Sequence, residues 1–202
     1  MLIGLDFDNT IVCYDQAIAT LAEELFDLPS TVARTKLGLR GYLRAENREP
    51  EWTAFQGELY GPGMKYAVAF AGAKSVMMQL KASGHSLVII SHRSRYPYAG
   101  ERHDLHKSAK EWIANNLINE VAAPLTDEDI SFHETRAEKI AQISKSKCAV
   151  FLDDLPEVLD DIDFTKKNTH KILFSPDSDS VNANYTSLKR WDDLPTLISK
   201  LA

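Results

Sequence analysis

Short, unbroken runs of apolar residues recur along the chain, with segments of helical spacing between them. Residues 1–5, 87–90 and 149–152 form three such runs, and runs of this kind are typical of strands buried on both faces of a parallel sheet. Residues 129–132 and 170–174 are less regular candidates for further strands. The apolar pattern therefore predicts several parallel strands.

The segments between these runs carry apolar residues at helical spacing. The stripes are Ala73, Val76, Met77 and Leu80; Leu105, Ala109, Trp112 and Ile113; Ile140 and Ile143; and Leu194, Leu197, Ile198 and Leu201. Candidate helix ends accompany them, namely Gly84, Asp104, the capping box Thr135 and Glu138, Pro156, and Asp192 or Asp193. Alternating strands and helices predict a doubly wound, mainly parallel α/β sheet with a Rossmann-like core.

One interval is too long for this alternation. The 82 residues of 9–90 separate Asp8 from Ser91, whereas a strand–helix–strand unit needs only about 30 residues. We therefore expect residues 14–71 to form a small helical cap inserted after the first strand. Residues 1–13 and 72–202 would then form the α/β core.

Composition narrows the class of protein. The formal net charge of −6 and sequence pI near 5.5 argue against a nucleic-acid-binding surface. The two cysteines, Cys13 and Cys148, are too few for a disulfide scaffold and are expected to be reduced. The apolar N-terminal run is too short for a signal peptide or a membrane span. A soluble cytoplasmic protein without a membrane partner is expected, and the oligomeric state cannot be read from the sequence.

Polar residues that could bind a ligand or take part in catalysis stand directly after three of the predicted strands. Asp6 and Asp8 follow the first run, Ser91 follows the second, and Asp153 and Asp154 follow the third. Ligands of parallel α/β sheets bind at the carboxyl ends of the strands, and residues two apart in a strand share a face. Clustered carboxylates repel each other by roughly 4 kcal/mol per pair at an effective dielectric near 20. A bound divalent cation would remove that repulsion, with Mg²⁺ the best candidate and Mn²⁺ a possible substitute.

The order of these residues resembles that of the haloacid dehalogenase superfamily, most of whose members are magnesium-dependent phosphatases. Its first motif, Asp-x-Asp-x-Thr/Val, is complete at residues 6–10, and its second, a Ser or Thr that ends an apolar strand, matches Ser91. Its third, a lysine, matches Lys139, for which Lys145 and Lys147 are nearby competitors. Its fourth, an acid with a second acid four residues later, matches residues 153–157. The resemblance covers about residues 1–13 and 72–175.

The resemblance implies a role for each residue that would meet the phosphoryl group. Asp6 would be the nucleophile that forms an aspartyl-phosphate. Asp8 would be the general acid that protonates the leaving oxygen and then the base that activates water. Ser91 and Lys139 would bind the phosphoryl oxygens and supply fixed positive charge.

The resemblance also implies a metal site. Asp6, the Asp8 carbonyl and Asp153 would ligate Mg²⁺ directly. Asp154 and Glu157 would hold its waters or orient its ligands. Which of Asp153 and Asp154 is the direct ligand stays open at this point.

A basic, aromatic loop follows Ser91. His92 or Arg93 could bind a second anionic group of the substrate. Alternatively, this is a solubilising surface loop whose arginines pair with Glu101 and Asp104.

The expected function is a Mg²⁺-dependent phosphatase that acts on a small phosphorylated metabolite, with the cap closing over the site. Three other classes stay open: a phosphomutase that uses the same residues, a signalling receiver domain, and a non-catalytic binding protein on the same fold. A receiver domain fits less well because its N-terminal acids are adjacent and no long insertion follows its first strand. Haloacid dehalogenation also fits less well, because it needs the nucleophile but no metal, and the complete set of acids would be out of place there. The sequence names neither the substrate nor the cap residues that select it.

Overall fold

The computed structural model describes residues 1–118, 124–161, 169–177 and 184–201. Two compact units are found. The first, the sheet unit, contains Met1–Val12, Ala69–Arg93 and Leu117–Ala202, and the second, the helical unit, contains Cys13–Val68 and Ser94–Asn116. Among the helices described, none combines the length and the apolar character that crossing a membrane requires.

The sheet unit is organised around one sheet, which has six strands in the described ranges. The strands are β1 (Leu2–Leu5), β4 (Ser86–His92), β5 (Ile130–His133), β6 (Val150–Asp153), β7 (His170–Phe174) and β8 (Thr186–Leu188), and two short strands, β2 (Val12–Cys13) and β3 (Val68–Ala69), form a separate pair. Their order in the large sheet is β5-β4-β1-β6-β7-β8, and each neighbouring pair in this order is parallel. The predicted parallel α/β fold is confirmed.

The five predicted strands are all present, whereas β8 of the large sheet and the two-residue strands β2 and β3 were not predicted. β8 has three residues, of which only Leu188 is buried. A strand this short at the sheet edge has no apolar run or alternation long enough to distinguish it from a loop.

Helices connect the strands and form most of the helical unit. They are α1 (Asp15–Leu25), α2 (Lys36–Ala45), α3 (Glu49–Tyr60), α4 (Ala73–Ala82), α5 (Leu105–Asn116), α6 (Arg136–Ser146), α7 (Pro156–Leu159) and α8 (Leu194–Ser199), with 3₁₀ turns at Pro62–Tyr66, Asp127–Asp129 and Trp191–Asp193. Gly84, at φ 82°, follows α4 as predicted, and Asp104 accepts a 3.0 Å hydrogen bond from the amide of Lys107 in α5. The predicted aspartate cap of α8 is wrong: Asp193 precedes the helix but makes no capping bond, because the chain enters α8 through a 3₁₀ turn.

Apolar side chains from two helices cover one face of the sheet. This cluster consists of Ile90, Ile140, Ile143, Cys148, Phe151, Val158, Leu159 and Leu173. Because successive side chains of a strand alternate between faces, Ile89 and Leu152 point to the opposite face. Helix α4 packs against β4 and α8. Burial in this core raises the pKa of the Cys148 thiol to about 11, which keeps it protonated and unreactive.

The helical unit has its own aromatic core. Trp52 and Phe55 of α3 are buried and stack with ring centroids 5.6 Å apart. The rings of Tyr14 and Tyr60 meet edge to face at 5.2 Å. Trp112 of α5 donates a 2.9 Å hydrogen bond to the carbonyl of Ala67.

The two units do not follow the predicted division at every point. The prediction placed residues 94–116 in the α/β core, whereas they cluster with Cys13–Val68 in the helical unit. The apolar stripe of α5 is buried as its spacing indicates. Helical periodicity shows that one face is buried but does not identify the neighbour that covers it.

Gly4 of β1 gives a test of core packing. A Cβ there would lie 2.4 Å from a ring carbon of Phe151 and 2.9 Å from the sulfur of Cys148. We expect Gly4→Ala to lower the free energy of unfolding by about 1–3 kcal/mol through overpacking. The control Gly41→Ala, at an exposed position of α2 where a Cβ meets nothing within 4 Å, should stabilise by about 0.5–1 kcal/mol. Urea denaturation measures both, and equal effects of the two substitutions would contradict the packing argument.

Candidate active site

Asp6 lies at the carboxyl end of the central strand β1. Its amide donates a 2.8 Å hydrogen bond to the carbonyl of Leu152, which continues the pairing of β1 with β6 by one residue. Its side chain is 5% exposed. Oδ1 accepts hydrogen bonds from the Ser91 hydroxyl at 2.9 Å and from Lys139 Nζ at 2.7 Å, and Oδ2 accepts one from Thr10 at 3.5 Å. The carboxylate is therefore held by donors from three different parts of the chain.

A tight turn follows this strand and carries the rest of the first motif. Asn9 has φ 55°, in the left-handed region that asparagine tolerates better than most residues. The carbonyl of Phe7 accepts hydrogen bonds from the amides of Ile11 and Val12, both at 3.0 Å. Trp191, which is fully buried, donates a 3.0 Å hydrogen bond to the carbonyl of Thr10. The C-terminal segment therefore stabilises the turn that follows Asp6.

Ser91 and Lys139 reach Asp6 from neighbouring elements. Ser91 lies in β4, which pairs directly with β1. The predicted capping box between Thr135 and Glu138 is present at the start of α6. It fixes the start of the helix that turns Lys139 inward, with Ile140 and Ile143, and of the three candidate lysines Lys139 is the buried one.

The Lys139 ammonium bridges two carboxylates. Nζ lies 2.7 Å from Asp6 and 2.5 Å from Oδ2 of Asp153, and all three side chains are at most 5% exposed. Burial by itself would lower the pKa of Lys139, but the charges of the two aspartates and the hydrogen bonds to them raise it above the ordinary value. Lys139 is therefore a fixed positive charge.

A third carboxylate joins this pair. Ligand atoms of Asp6, Asp153 and Asp154 all lie within 4.8 Å of one another. Oδ1 of Asp153 accepts a 2.9 Å hydrogen bond from the amide of Leu155, whereas in the ranges the structure describes no hydrogen bond is found for the Asp154 side chain. Burial, and then the charge of Asp6, raise the pKa of both Asp153 and Asp154. Three carboxylates and the Lys139 ammonium leave two negative charges, so the cluster fits a divalent, oxygen-preferring cation.

Asp8 makes a separate ion pair with Arg93. Nε of Arg93 donates to Oδ2 of Asp8 at 3.2 Å, and Nη2 donates to Oδ1. The amide of Arg93 donates to the carbonyl of His133 at 2.8 Å, which prolongs the pairing of β4 with β5. This end of the sheet therefore carries two sets of ion pairs: Lys139 with Asp6 and Asp153, and Arg93 with Asp8.

The structure brings most, but not all, of the predicted site residues together. Asp6, Ser91, Lys139 and Asp153 are in direct contact, and Asp154 is beside them. Glu157, predicted to orient the metal shell, is exposed on α7 and is not among the three clustered carboxylates. His92 is exposed, and its Nε2 lies 3.1 Å from the carbonyl of Glu134.

Two contributors to the site were not foreseen. The sequence suggested that Arg93 would contact substrate or a surface acid, whereas its guanidinium contacts Asp8. The role of Trp191 was not predictable, because a tryptophan that donates one hydrogen bond across 181 residues leaves no local pattern.

The chain is similar in structure to known proteins but matches none of them closely in sequence. No protein-family model matches the chain, and no curated protein matches it. Solved structures do match along nearly the whole chain. A haloacid dehalogenase family hydrolase from Deinococcus radiodurans R1, solved with bound phosphate and sodium, is 16% identical over 99% of this chain and 95% of that one, with a TM-score of 0.58.

Two further structures are similar to the same degree. The putative haloacid dehalogenase hydrolase YfnB from Bacillus subtilis, bound to magnesium, is 12% identical over 98% of this chain and 97% of that one, with a TM-score of 0.59. A dehalogenase with an intermediate complex is 12% identical over 97% and 96%, with a TM-score of 0.60. The chain therefore has the fold of the haloacid dehalogenase superfamily, as the motifs predicted. At such low identity the reaction has to be argued from the residues themselves.

The charge of the cluster predicts an unusual pH dependence of stability. The raised pKa of Asp154 means that the folded state binds this proton more tightly than the unfolded state, whose aspartates titrate near pH 4. Stability without metal is therefore lost as pH rises above that value. In EDTA at pH 8, Asp154→Asn should therefore have a higher Tm than wild type, by about 2–4 °C or more. In a chain of this size, such a change in Tm corresponds to roughly 1 kcal/mol in the free energy of unfolding.

This difference between Asp154→Asn and wild type should shrink as pH falls towards 4. The matched control Asp160→Asn, at an exposed position, should leave Tm unchanged at both pH values. Differential scanning calorimetry measures these shifts. A wild type that is more stable than Asp154→Asn in EDTA at pH 8 would contradict the electrostatic account.

Proposed function

We propose that this protein is a phosphatase that hydrolyses a small phosphorylated metabolite through an aspartyl-phosphate on Asp6, with Mg²⁺ as cofactor and Mn²⁺ as a possible substitute. The observation that carries the proposal is the buried Asp6 carboxylate, which contacts the Ser91 hydroxyl and the Lys139 ammonium and also belongs to the three-carboxylate cluster. Phosphoryl transfer needs chiefly placement of the reactants and neutralisation of charge. This set of side chains supplies both.

In the first step, an oxygen of Asp6 forms a bond to phosphorus while the bond from phosphorus to the leaving oxygen breaks. The leaving oxygen takes a proton from Asp8, and the substrate leaves as an alcohol. Ser91 and Lys139 donate hydrogen bonds to the phosphoryl oxygens and to the carboxylate, respectively, where negative charge accumulates. The product on the enzyme is an acyl phosphate, which water attacks more readily than a phosphate ester.

In the second step, a water molecule attacks phosphorus and transfers a proton to Asp8. The bond between phosphorus and the Asp6 oxygen breaks, so inorganic phosphate leaves and the carboxylate is restored. Asp8 ends the cycle in its starting protonation state. One acid–base group therefore serves both halves of the reaction.

The carboxylates of Asp6, Asp153 and Asp154 would hold the magnesium ion, together with the Asp8 carbonyl. Bound there, the ion supplies positive charge for the transferring phosphoryl group. Asp153 already accepts hydrogen bonds on both oxygens, whereas no hydrogen bond is found for Asp154 in the described residues. This difference supports Asp154 as a direct ligand, a role that the motif comparison gave to Asp153.

Two related activities need to be distinguished from hydrolysis of a phosphate ester. A phosphomutase would use the same residues but release little inorganic phosphate. A dehalogenase, such as the similar structure mentioned above, would use Asp6 as nucleophile but has no need of a cation site. The cluster of three carboxylates supports phosphatase chemistry over dehalogenation, and no observation favours the phosphomutase.

Replacement of the nucleophile tests the proposal directly. In a phosphate-release screen over phosphorylated metabolites with Mg²⁺, Asp6→Asn should retain less than about one hundredth of wild-type kcat/KM, because the amide cannot form the acyl phosphate. The control Asp15→Asn, at an exposed position of α1, should keep full activity. Circular dichroism and thermal unfolding should show both variants folded.

Residual Asp6→Asn activity above that level would rule out the nucleophile. Halide release from 2-chloropropionate by a wild type that releases no phosphate would identify a dehalogenase instead. Conversion of a sugar phosphate into its isomer without phosphate release would identify a phosphomutase.

Substitution of the clustered acids tests the cation site. We expect Asp153→Asn and Asp154→Asn each to raise the Mg²⁺ concentration for half-maximal activity by about 10-fold or more, since each removes negative charge or support from the site. The larger shift identifies the more important ligand. Asp160→Asn serves as the exposed control, and a magnesium titration of phosphate release measures all three. Titration curves that overlay wild type would contradict metal binding by these side chains.

A further inference from the structure

Arg93 is a buried arginine whose role the proposed reaction does not use. Its side chain is 3% exposed, whereas that of its partner Asp8 is 20% exposed. The guanidinium carbon lies 5.3 Å from the ring centroid of Phe7 and 6.0 Å from that of Phe132. These two rings also contact each other edge to face, at 5.7 Å. Arg93 is thus held by apolar neighbours on its own side of the ion pair.

Both ends of Arg93 are fixed. Its amide is hydrogen-bonded to the carbonyl of His133, and its guanidinium contacts both oxygens of Asp8 through two nitrogens. A two-point contact between guanidinium and carboxylate fixes the orientation of the carboxylate plane as well as its distance. Of the two partners, Asp8 is the more exposed, whereas Arg93 is held by its backbone hydrogen bond and by its contacts with the two rings. The contact therefore restrains Asp8 more than it restrains Arg93.

We propose that Arg93 is a positioning residue, which holds the Asp8 carboxylate in the orientation needed to transfer a proton, rather than a residue that binds the substrate. The proposal rests on the proposed function, in which Asp8 is the acid and base. A carboxylate offers about four lone-pair sites, so the two contacts with Arg93 leave sites on which Asp8 can carry a proton. Misplacement of a reacting group by about 1 Å can lower a rate 100-fold.

The proposal predicts how the effect of Arg93 depends on the leaving group. A weakly basic leaving oxygen needs little help from a general acid, whereas a more basic one depends on proton transfer. Loss of a residue that positions the acid should therefore harm substrates with basic leaving groups more. Loss of a residue that binds the phosphoryl group should harm all phosphate esters equally.

Two esters of similar shape make the test. We would measure kcat/KM of wild type and Arg93→Met for 4-nitrophenyl phosphate, which has a weakly basic leaving group, and for phenyl phosphate, which has a more basic one. Methionine preserves much of the apolar contact with Phe7 and Phe132 while removing the charge and the donors. Arg95→Met is the matched control, because Arg95 is exposed and pairs with Asp104 in the helical unit.

Arg93→Met should lower kcat/KM about 100-fold for phenyl phosphate but less than about 10-fold for 4-nitrophenyl phosphate, within the range of general acid catalysis. Arg93→Lys, which keeps the charge but not the two-point contact, should fall between wild type and Arg93→Met. Arg95→Met should change neither rate. Equal losses on both esters would overturn the proposal in favour of phosphoryl binding, and unchanged rates would show that Arg93 has no part in the reaction.

A double-mutant cycle shows whether Arg93 acts through Asp8. Once Asp8→Asn has removed the acid, adding Arg93→Met should reduce kcat/KM for phenyl phosphate by less than about 3-fold, because the two residues act as one unit. Losses that multiply would mean that Arg93 contacts the substrate independently. The first result would support the positioning role of Arg93, and the second would overturn it.

Failure of the proposed function is seen separately, in wild type. A wild type that releases phosphate from neither ester nor any metabolite would reject the phosphatase and this role with it. A crystal structure of Arg93→Met gives a readout besides activity: the Asp8 carboxylate should leave its wild-type orientation or occupy several. An unchanged Asp8 in that variant would overturn the positioning role even in a fully active phosphatase.

Discussion

The structure of the site depends on one electrostatic constraint, the burial of several carboxylates at the end of a parallel sheet. Asp6 and Asp153 are almost inaccessible to solvent, and both contact the ammonium of Lys139. A buried carboxylate without a partner is strongly unfavourable. Lys139 balances one of the negative charges, while burial, and then the charge of Asp6, raise the pKa of Asp153 and Asp154. A cation is the simplest physical solution to this imbalance.

Strand order decides how this constraint is met. β1 lies between β4 and β6, so residues at the carboxyl ends of three strands far apart in sequence lie side by side. The chain leaves β1 for one side of the sheet and later returns to its other side, and such a reversal opens a crevice at the carboxyl ends of the strands. The capping box of α6 and the Trp191 hydrogen bond to Thr10 then fix the lysine and the turn. The sheet that brings the carboxylates together therefore also places the hydrogen-bond donors that contact them.

The charged groups of the site form two sets that differ in their net charge. The cluster around Lys139 carries excess negative charge and suits a cation and a phosphoryl group. Asp8 and Arg93 form a balanced pair beside the rings of Phe7 and Phe132, which suits a group that must keep its orientation while it gains and loses a proton. Asp6 and Asp8 are only two residues apart, yet they differ in their partners. In the reaction we propose, this separation would allow one short motif to supply both a nucleophile and an acid.

Five strands of the large sheet and most helices were predictable from the sequence, because buried parallel strands and capped helices leave local patterns of apolar and polar residues. It also singled out Asp6, Ser91, Lys139 and Asp153, since each follows a strand or a capping box in a distinctive order. Three features became visible only in the folded molecule: the contact of Arg93 with Asp8, the exposure of Glu157, and the place of residues 94–116 in the helical unit. Those outcomes depend on which surfaces meet across long separations in the chain, and local spacing does not encode that choice.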